Sequence, residues 1–174
     1  SARGFRDVLY VSGEIGVGGG IIVDGELFRG AAGFGGEFGH MTLDPNGRPC
    51  ACGSRGCLET VVGLEALLEN AGLDPASAST TTGTGEPVAA LAARARAGDE
   101  RALTALRESG RSLGIAIASA ANLLNFQAVV LGGFFGQLST WLTAPRLYTS
   151  SGFETSSERM SDDMSVRSPS MSFT

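Results

Sequence analysis

Residues 36–59 read GEFGHMTLDPNGRPCACGSRGCLE, and this stretch carries the most specific signal for the fold. It holds the single histidine and all three cysteines of the chain, spaced as His40-x9-Cys50-x-Cys52-x4-Cys57. Three thiolates and one imidazole form a closed tetrahedral ligand set, which suits structural zinc. The alternatives are reduced, buried cysteines beside a surface histidine, or a disulfide framework, which the odd cysteine count disfavours. The pattern therefore predicts a structural zinc site at these four residues.

Two carboxylates flank the predicted metal ligands. Glu37 precedes His40 by three residues, and Glu59 follows Cys57 by two. A chain folded around a metal would bring both carboxylates near one centre, where they and the imidazole could accept hydrogen bonds from sugar hydroxyls. Alternatively, Glu37 is a turn residue and Glu59 is a helix-start carboxylate favoured by the helix dipole. The spacing alone leaves both interpretations open.

Strand patterns come first along the chain, and helical patterns follow. Short apolar runs indicate strands at 8–12, 21–23, 26–29 and 41–43, with a hairpin and an Asp24-Gly25 turn among them. Helical periodicity predicts helices at 59–70, 86–97 and 99–125, with Gly72 ending the first and Asp99 capping the last, and then a buried strand at 128–131. The predicted core face of the last helix comprises Leu103, Leu106, Leu113, Ile117 and Leu124. This order indicates an α/β or α+β unit.

Two glycine clusters are candidate binding sites for phosphate. The first contains Gly16, Gly18 and Gly19, and the second is the pair Gly132 and Gly133 after the last predicted strand. Glycine-rich turns can present backbone amides to an anion. The first cluster lacks the lysine of a P-loop and precedes a strand, so neither the Walker nor the dinucleotide fingerprint fits. A plain hairpin and a plain turn remain the alternatives.

Charge and length restrict the classes of function. The chain has 174 residues and a net charge of −5, which argues against a nucleic-acid-binding surface in this segment. Residues 112–145 carry no charge, but Asn122, Asn125 and Gln127 near their centre predict a buried helix and strand rather than a membrane span. Residues 1–10 do not form a signal-peptide pattern, so we expect a cytoplasmic protein.

The last part of the chain differs in character from the rest. Nine serines lie between positions 149 and 174, and no helical or strand period is sustained there. We therefore expect one lobe at residues 1–140, followed by an atypical, poorly ordered tail at 141–174, with no packed element within residues 149–174. A truncated or frame-shifted gene is one hypothesis for that tail.

Three motifs together closely resemble the ROK family of bacterial sugar kinases and sugar-responsive repressors. They are GVGGGIIVDG at 16–25, GEFGH at 36–40 and CACGSRGCLE at 50–59. The match covers about residues 8–136. The resemblance implies an actin-like ATPase (ribonuclease H-like) fold of two lobes, of which this chain holds mainly the C-terminal lobe with its zinc-bound loop.

The resemblance also implies roles for particular residues. In the family, His40, Cys50, Cys52 and Cys57 would bind structural zinc, while Glu37, His40 and Glu59 would contact a monosaccharide or sugar phosphate. His40 would then serve both sites through its two ring nitrogens. The resemblance further implies a homodimer, with DNA contacted only through a domain absent from this chain.

Two departures from the family pattern bear on the function. The resemblance places the first lobe and the family's general-base aspartate outside this chain, so we expect the fragment to hold no catalytic residue and not to be an active kinase. Glu14 stands where the kinases usually carry threonine or another small residue. We therefore expect the sugar-binding effector portion of a transcriptional regulator. The alternative is the C-terminal lobe of an ATP-dependent, glucokinase-like hexose kinase, and only that reading requires ATP and Mg²⁺.

Overall fold

A mixed five-stranded sheet forms the centre of the molecule. The computed structural model describes residues 4–76, 85–142 and 165–167. The strands are β1 (Val8–Gly13), β2 (Val17–Val23), β3 (Glu26–Leu27), β4 (Ala128–Gly133) and β5 (Ser165–Arg167). Their order across the sheet is β3-β2-β1-β4-β5. Strand β1 is antiparallel to β2 and parallel to β4, so Gly13 and Gly133 lie side by side at the carboxyl ends of β1 and β4.

Five α-helices in the described ranges supply most of the hydrophobic core. They are α1 (Glu59–Val62), α2 (Leu64–Ala71), α3 (Gly85–Arg96), α4 (Glu100–Leu124) and α5 (Phe134–Leu142). Asp99 caps α4 as predicted, because its side chain accepts hydrogen bonds from the backbone amides of Arg101 and Ala102. On the predicted core face of α4, Leu106 and Leu113 are buried, whereas Leu124 in the last turn is 41% exposed.

The predicted helix at 59–70 is divided into two. Gly63 adopts an extended conformation with ψ 157°, so α1 ends after Val62 and α2 begins at Leu64. Gly72 ends α2 in the left-handed conformation, as predicted. The expected strand at 41–43 is reduced to an isolated bridge between Thr42 and Cys57. Because the helix is interrupted at Gly63, Glu59 lies in the short helix α1 and not at the start of α2.

The first glycine cluster lies largely within a strand. Strand β2 begins at Val17, so the turn after β1 consists of three residues, closed by a hydrogen bond of 3.0 Å from the Glu14 amide to the Gly16 carbonyl. Gly18 and Gly19 pair with Ser12 and Val11 of β1. The expectation that the strand starts only at residue 21 is therefore wrong, because backbone pairing with β1 extends through the glycines.

The end of the chain contains regular structure that the sequence patterns did not predict. Helix α5 follows β4 directly, and its first two residues, Phe134 and Phe135, are fully buried. The expectation of no packed element within residues 149–174 is wrong at β5, which pairs antiparallel with β4. The rest of the predicted tail lies outside the described residues. Within the described parts, no helix combines the length and apolar character needed to cross a membrane.

Candidate metal and ligand site

The four predicted metal ligands converge on one point. The nearest ligand atoms of His40, Cys50, Cys52 and Cys57 all lie within 4.8 Å of one another. The Cys50 Sγ is 3.6 Å from the His40 Nδ1, and the Cys52 Sγ is 3.7 Å from the Cys57 Sγ. In a tetrahedral zinc site the corresponding edges are roughly 3.6 Å and 3.8 Å, given the usual Zn–N and Zn–S bond lengths. The cluster could hold a metal ion, and its cysteines are free rather than disulfide-bonded.

A tightly turned loop brings the ligands together. The Cys50 amide donates to the Ser54 carbonyl over 2.9 Å, which folds the segment carrying Cys50 and Cys52 back on itself. Gly56, directly before Cys57, has φ +63°, and a Cβ there would overlap the carbonyl oxygen of Asp44. Only glycine fits this position, because both the conformation and the close backbone approach exclude a side chain.

The thiols differ in their environment. Burial, together with the neighbouring Cys50 and Cys52, raises the pKa of Cys57 to about 11. A backbone hydrogen bond at Ser54, helped by one from the Cys50 side chain, lowers the pKa of the exposed Cys52 thiol. A bound metal cation would override the preference of Cys57 for its neutral form, because a coordinating thiol is deprotonated outright.

His40 has a different neighbour on each ring nitrogen. Nδ1 faces the cysteine cluster, while Nε2 lies 3.7 Å from the Glu37 Oε2. The Glu37 side chain is 62% exposed, so its carboxylate stands at the surface beside the imidazole. A metal held through Nδ1 would fix the orientation of the ring and therefore of Nε2.

Glu59, the first residue of α1, is connected to the His40 segment through the backbone. The Leu58 amide donates to the Met41 carbonyl over 2.8 Å, which joins the residues adjacent to Glu59 and His40 in the sequence. The Glu59 Oε2 accepts a hydrogen bond of 2.9 Å from the Val17 amide at the start of β2. The backbone next to Glu59 is thus paired with the backbone next to His40, and the Glu59 carboxylate is held at the start of β2.

A groove runs beside Glu59. Its volume is about 630 Å³, and its lining includes Ile15, Gly16, Arg48, Glu59 and Glu69. An ion pair between Arg48 and Glu69 links the metal loop to α2. The groove is large enough for a monosaccharide, and it offers carboxylates as acceptors for hydroxyl groups.

The two predicted phosphate-binding clusters occupy different surroundings. Gly132 and Gly133 end β4 directly before α5, whereas Gly16 faces Glu59 on the other side of β1. Glu14 lies next to the second cluster. Its Oε1 accepts a hydrogen bond of 3.3 Å from the Ser12 hydroxyl and is 2.9 Å from the position of a Cβ built on Gly133. A carboxylate therefore stands where the parallel strands end.

Some residues of the site could not be identified from the sequence patterns. Val17 contributes only its amide, which every residue type except proline could supply, so no residue signal identifies it. The Arg48–Glu69 ion pair joins segments 21 residues apart, and only the folded chain shows that they meet.

Comparison with known proteins identifies the family. The ROK family profile matches residues 1–160, and the chain belongs to the ROK family. The chain is 37% identical to the xylose repressor of Bacillus subtilis (strain 168) over 131 residues, which cover 75% of this chain and 32% of the repressor. It is 32% identical to the N-acetylmannosamine kinase of Citrobacter koseri over 145 residues, which cover 83% of this chain and 47% of the kinase. The chain thus spans about a third to a half of these relatives.

Solved structures give the same fold. A ROK family glucokinase from Streptomyces griseus in complex with glucose and AMPPNP superimposes with a TM-score of 0.66 at 29% identity, over 86% of this chain and 55% of the glucokinase. A ROK family transcriptional regulator, a homolog of the E. coli MLC protein, has a TM-score of 0.64 at 34% identity, over 79% of this chain and 35% of the regulator. The similar structures include ROK sugar kinases of the actin-like ATPase fold, and both branches of the family match this chain.

Proposed function

We propose that the chain is the sugar-binding effector portion of a ROK-type transcriptional regulator. The observation that carries this proposal is the position of Glu14, beside Gly133 at the carboxyl ends of β1 and β4. Ligands of open α/β sheets bind in the crevice at such strand ends, and the start of a helix there favours an anion. Here the carboxylate of Glu14 itself supplies the negative charge.

A nucleotide would meet repulsion at this position. Two unit charges 4 Å apart interact by about 4 kcal/mol near a protein surface, and a polyphosphate beside Glu14 would carry the same sign as the carboxylate. Arg6 and Arg48 do not offset this charge, because they hold ion pairs with Asp24 and Glu69. Sugar sensing without phosphoryl transfer is therefore the function that the geometry favours.

The proposed sugar ligands are Glu37, His40 and Glu59. Two carboxylates and an imidazole accept hydrogen bonds from adjacent hydroxyls, and a site built in this way discriminates against ligands that lack them. The proposed ligand is a monosaccharide or sugar phosphate. Relatives named for xylose and N-acetylmannosamine, and the glucose complex of the S. griseus enzyme, support a ligand of this class.

Structural zinc is the proposed occupant of the cysteine cluster. Three thiolates and an imidazole at tetrahedral spacing fit zinc, and a closed set leaves no open position for a catalytic water. Zinc would supply rigidity to the loop, and His40 would then present Nε2 in a fixed direction beside Glu37. Sugar binding would shift the protein between conformations to the extent that the sugar binds them with different affinity.

The alternative is the C-terminal lobe of an ATP-dependent hexose kinase. The Gly132-Gly133 pair favours it, because these glycines end a parallel strand directly before a helix, where backbone amides can receive a phosphate. In that case ATP with Mg²⁺ would bind despite Glu14, with Gly16, Gly18 and Gly19 as further candidates for nucleotide contacts.

The coding sequence upstream of this segment distinguishes the two proposals. A regulator predicts a helix-turn-helix pattern there, and the intact product should bind its operator with an affinity that changes on adding sugar. A kinase predicts a phosphate loop and a candidate catalytic aspartate instead. Calorimetric titration of the chain with D-xylose, D-glucose and N-acetylmannosamine tests the sugar site directly, with Glu59→Gln as the impaired variant.

A further inference from the structure

We infer that Gly16 is a positioning residue of the sugar site, because its missing side chain leaves the space that the Glu59 carboxylate occupies. A Cβ built at Gly16 would overlap the Glu59 Oε2, the oxygen that accepts the hydrogen bond from Val17. The glycine thus serves Glu59 rather than a nucleotide phosphate. This inference rests on the proposed role of Glu59 as a sugar ligand.

The contact fixes the direction of the carboxylate. Oε2 is held by the Val17 amide at 2.9 Å, and the plane of the carboxylate then determines where Oε1 lies. A sugar hydroxyl recognised by Glu59 needs an acceptor at a defined place, since hydrogen bonds weaken steeply with misalignment. Any side chain at Gly16 would move both oxygens.

The start of β2 also supports the other half of the site. Gly39, directly before His40, packs against the carbonyl oxygen of Val17, so closely that a Cβ at Gly39 would overlap it. Val17 therefore contacts the His40 turn with its carbonyl and Glu59 with its amide. Val17 therefore links Glu59 to the turn that carries Glu37 and His40.

An alanine at Gly16 should disturb the site without unfolding the chain. Gly16 does not adopt the left-handed conformation, so its backbone accepts alanine. The atoms that a new Cβ would displace belong to the end of one flexible side chain. Gly20 of β2 provides the control, because a Cβ there would have its nearest neighbours, Leu27 Cδ1 and Tyr10 Cβ, at 3.9 Å.

The first test compares sugar affinity in these variants of the 174-residue chain. With D-xylose or D-glucose as the probe, Gly16→Ala should weaken binding about 10- to 100-fold, the range expected for losing a hydrogen bond to a charged group. Gly20→Ala should bind within twofold of the wild type. The double variant Gly16→Ala/Glu59→Ala should bind no more than about twofold more weakly than Glu59→Ala alone, because without the carboxylate the new Cβ has nothing to displace. Wild-type affinity in Gly16→Ala, an equal loss in Gly20→Ala, or additive losses would overturn the inference.

The second test does not depend on sugar. Hydrogen exchange of the Val17 amide should be at least about tenfold faster in Gly16→Ala and in Glu59→Ala than in the wild type or Gly20→Ala, with metal content unchanged in Gly16→Ala. Unchanged exchange in Gly16→Ala would refute the positioning role. If the wild-type chain binds none of the sugars, the proposed function fails, while the exchange of Val17 still decides whether Gly16 positions Glu59.

Discussion

Removing one metal ligand should destabilise the loop that carries the site. Cys52→Ala is the most informative variant, because Cys52 is exposed and the loss of its sulfur leaves no cavity in the core. No residue of 41–55 is fully buried, so backbone hydrogen bonds, the partly buried Met41 and Leu43, the Arg48–Glu69 ion pair and the proposed metal would share the ordering of this segment. Without the proposed metal, the loop between His40 and Cys57 would lose the cross-link among its four ligand side chains.

The size of the effect follows from the length of that loop. His40 through Cys57 comprises 18 residues, and cross-linking a loop of this length stabilises a protein by about 3 kcal/mol in the chain-entropy estimate. For a chain of this size, about 3 kcal/mol corresponds to a fall in Tm of roughly 6–12 °C. The core formed by the sheet and helices should remain folded.

Metal analysis and thermal unfolding together check this prediction. The wild type should contain one zinc per chain by elemental analysis, and Cys52→Ala should contain much less and unfold at lower temperature by circular dichroism. Ser54→Ala is the matched control, because Ser54 is exposed in the same loop and its backbone contacts are retained. Full metal content in Cys52→Ala, or loss of metal with an unchanged Tm, would contradict the reasoning.

Three further changes have defined outcomes. Glu59→Gln should weaken sugar binding about tenfold in calorimetry while elemental analysis still finds the metal, since Glu59 is outside the ligand set; equal affinity would remove it from the site. Phe134→Ala should lower the free energy of unfolding by about 3–5 kcal/mol in denaturant titration, because the ring is fully buried. Asp99→Ala should lower the Tm at neutral pH. Hydrogen bonding from Ala102 and Arg94 holds the pKa of Asp99 below its ordinary 3.8, so this stability is present above pH 3.8. The deficit of Asp99→Ala should shrink as pH falls through the lower folded-state pKa, as Tm measurements across pH would show.

The metal cluster and the larger helices could be predicted from the sequence. The spacing of His40 and the cysteines restricts how they can meet, and the structure brings all four ligand atoms together. Helix α4 was recognisable because Asp99 caps it and apolar residues recur along one face. Such signals are local, and tertiary contacts reinforce them rather than override them.

The break at Gly63 and the extent of β2 could not be predicted in the same way. Gly63 lies inside an apolar helical pattern, yet its backbone is extended with ψ 157°. Gly18 and Gly19 belong to a strand because β1 pairs with them, although glycine disfavours strands on its own. Pairing with β1, rather than the preference of the glycines themselves, decided the extent of β2.

Some of the candidate site likewise depends on the folded chain. The sequence indicated Glu59 but not the Val17 amide that holds its carboxylate, since a backbone amide is common to nearly all residues. Glu14 stood out by its charge in the sequence, and the structure adds that it lies beside Gly133. At that position its carboxylate would oppose a nucleotide phosphate, which is the basis of the regulator proposal.

Nucleotide binding separates the regulator proposal from the kinase proposal. Titrating AMPPNP with Mg²⁺ into the wild-type chain and into Glu14→Thr measures how far this carboxylate opposes a phosphate at the end of β4. We predict that the wild type binds at least about tenfold more weakly than the variant, a conservative figure for the repulsion between like charges at this distance. Tight binding by the wild type, equal to that of Glu14→Thr, would contradict the regulator proposal and favour the kinase.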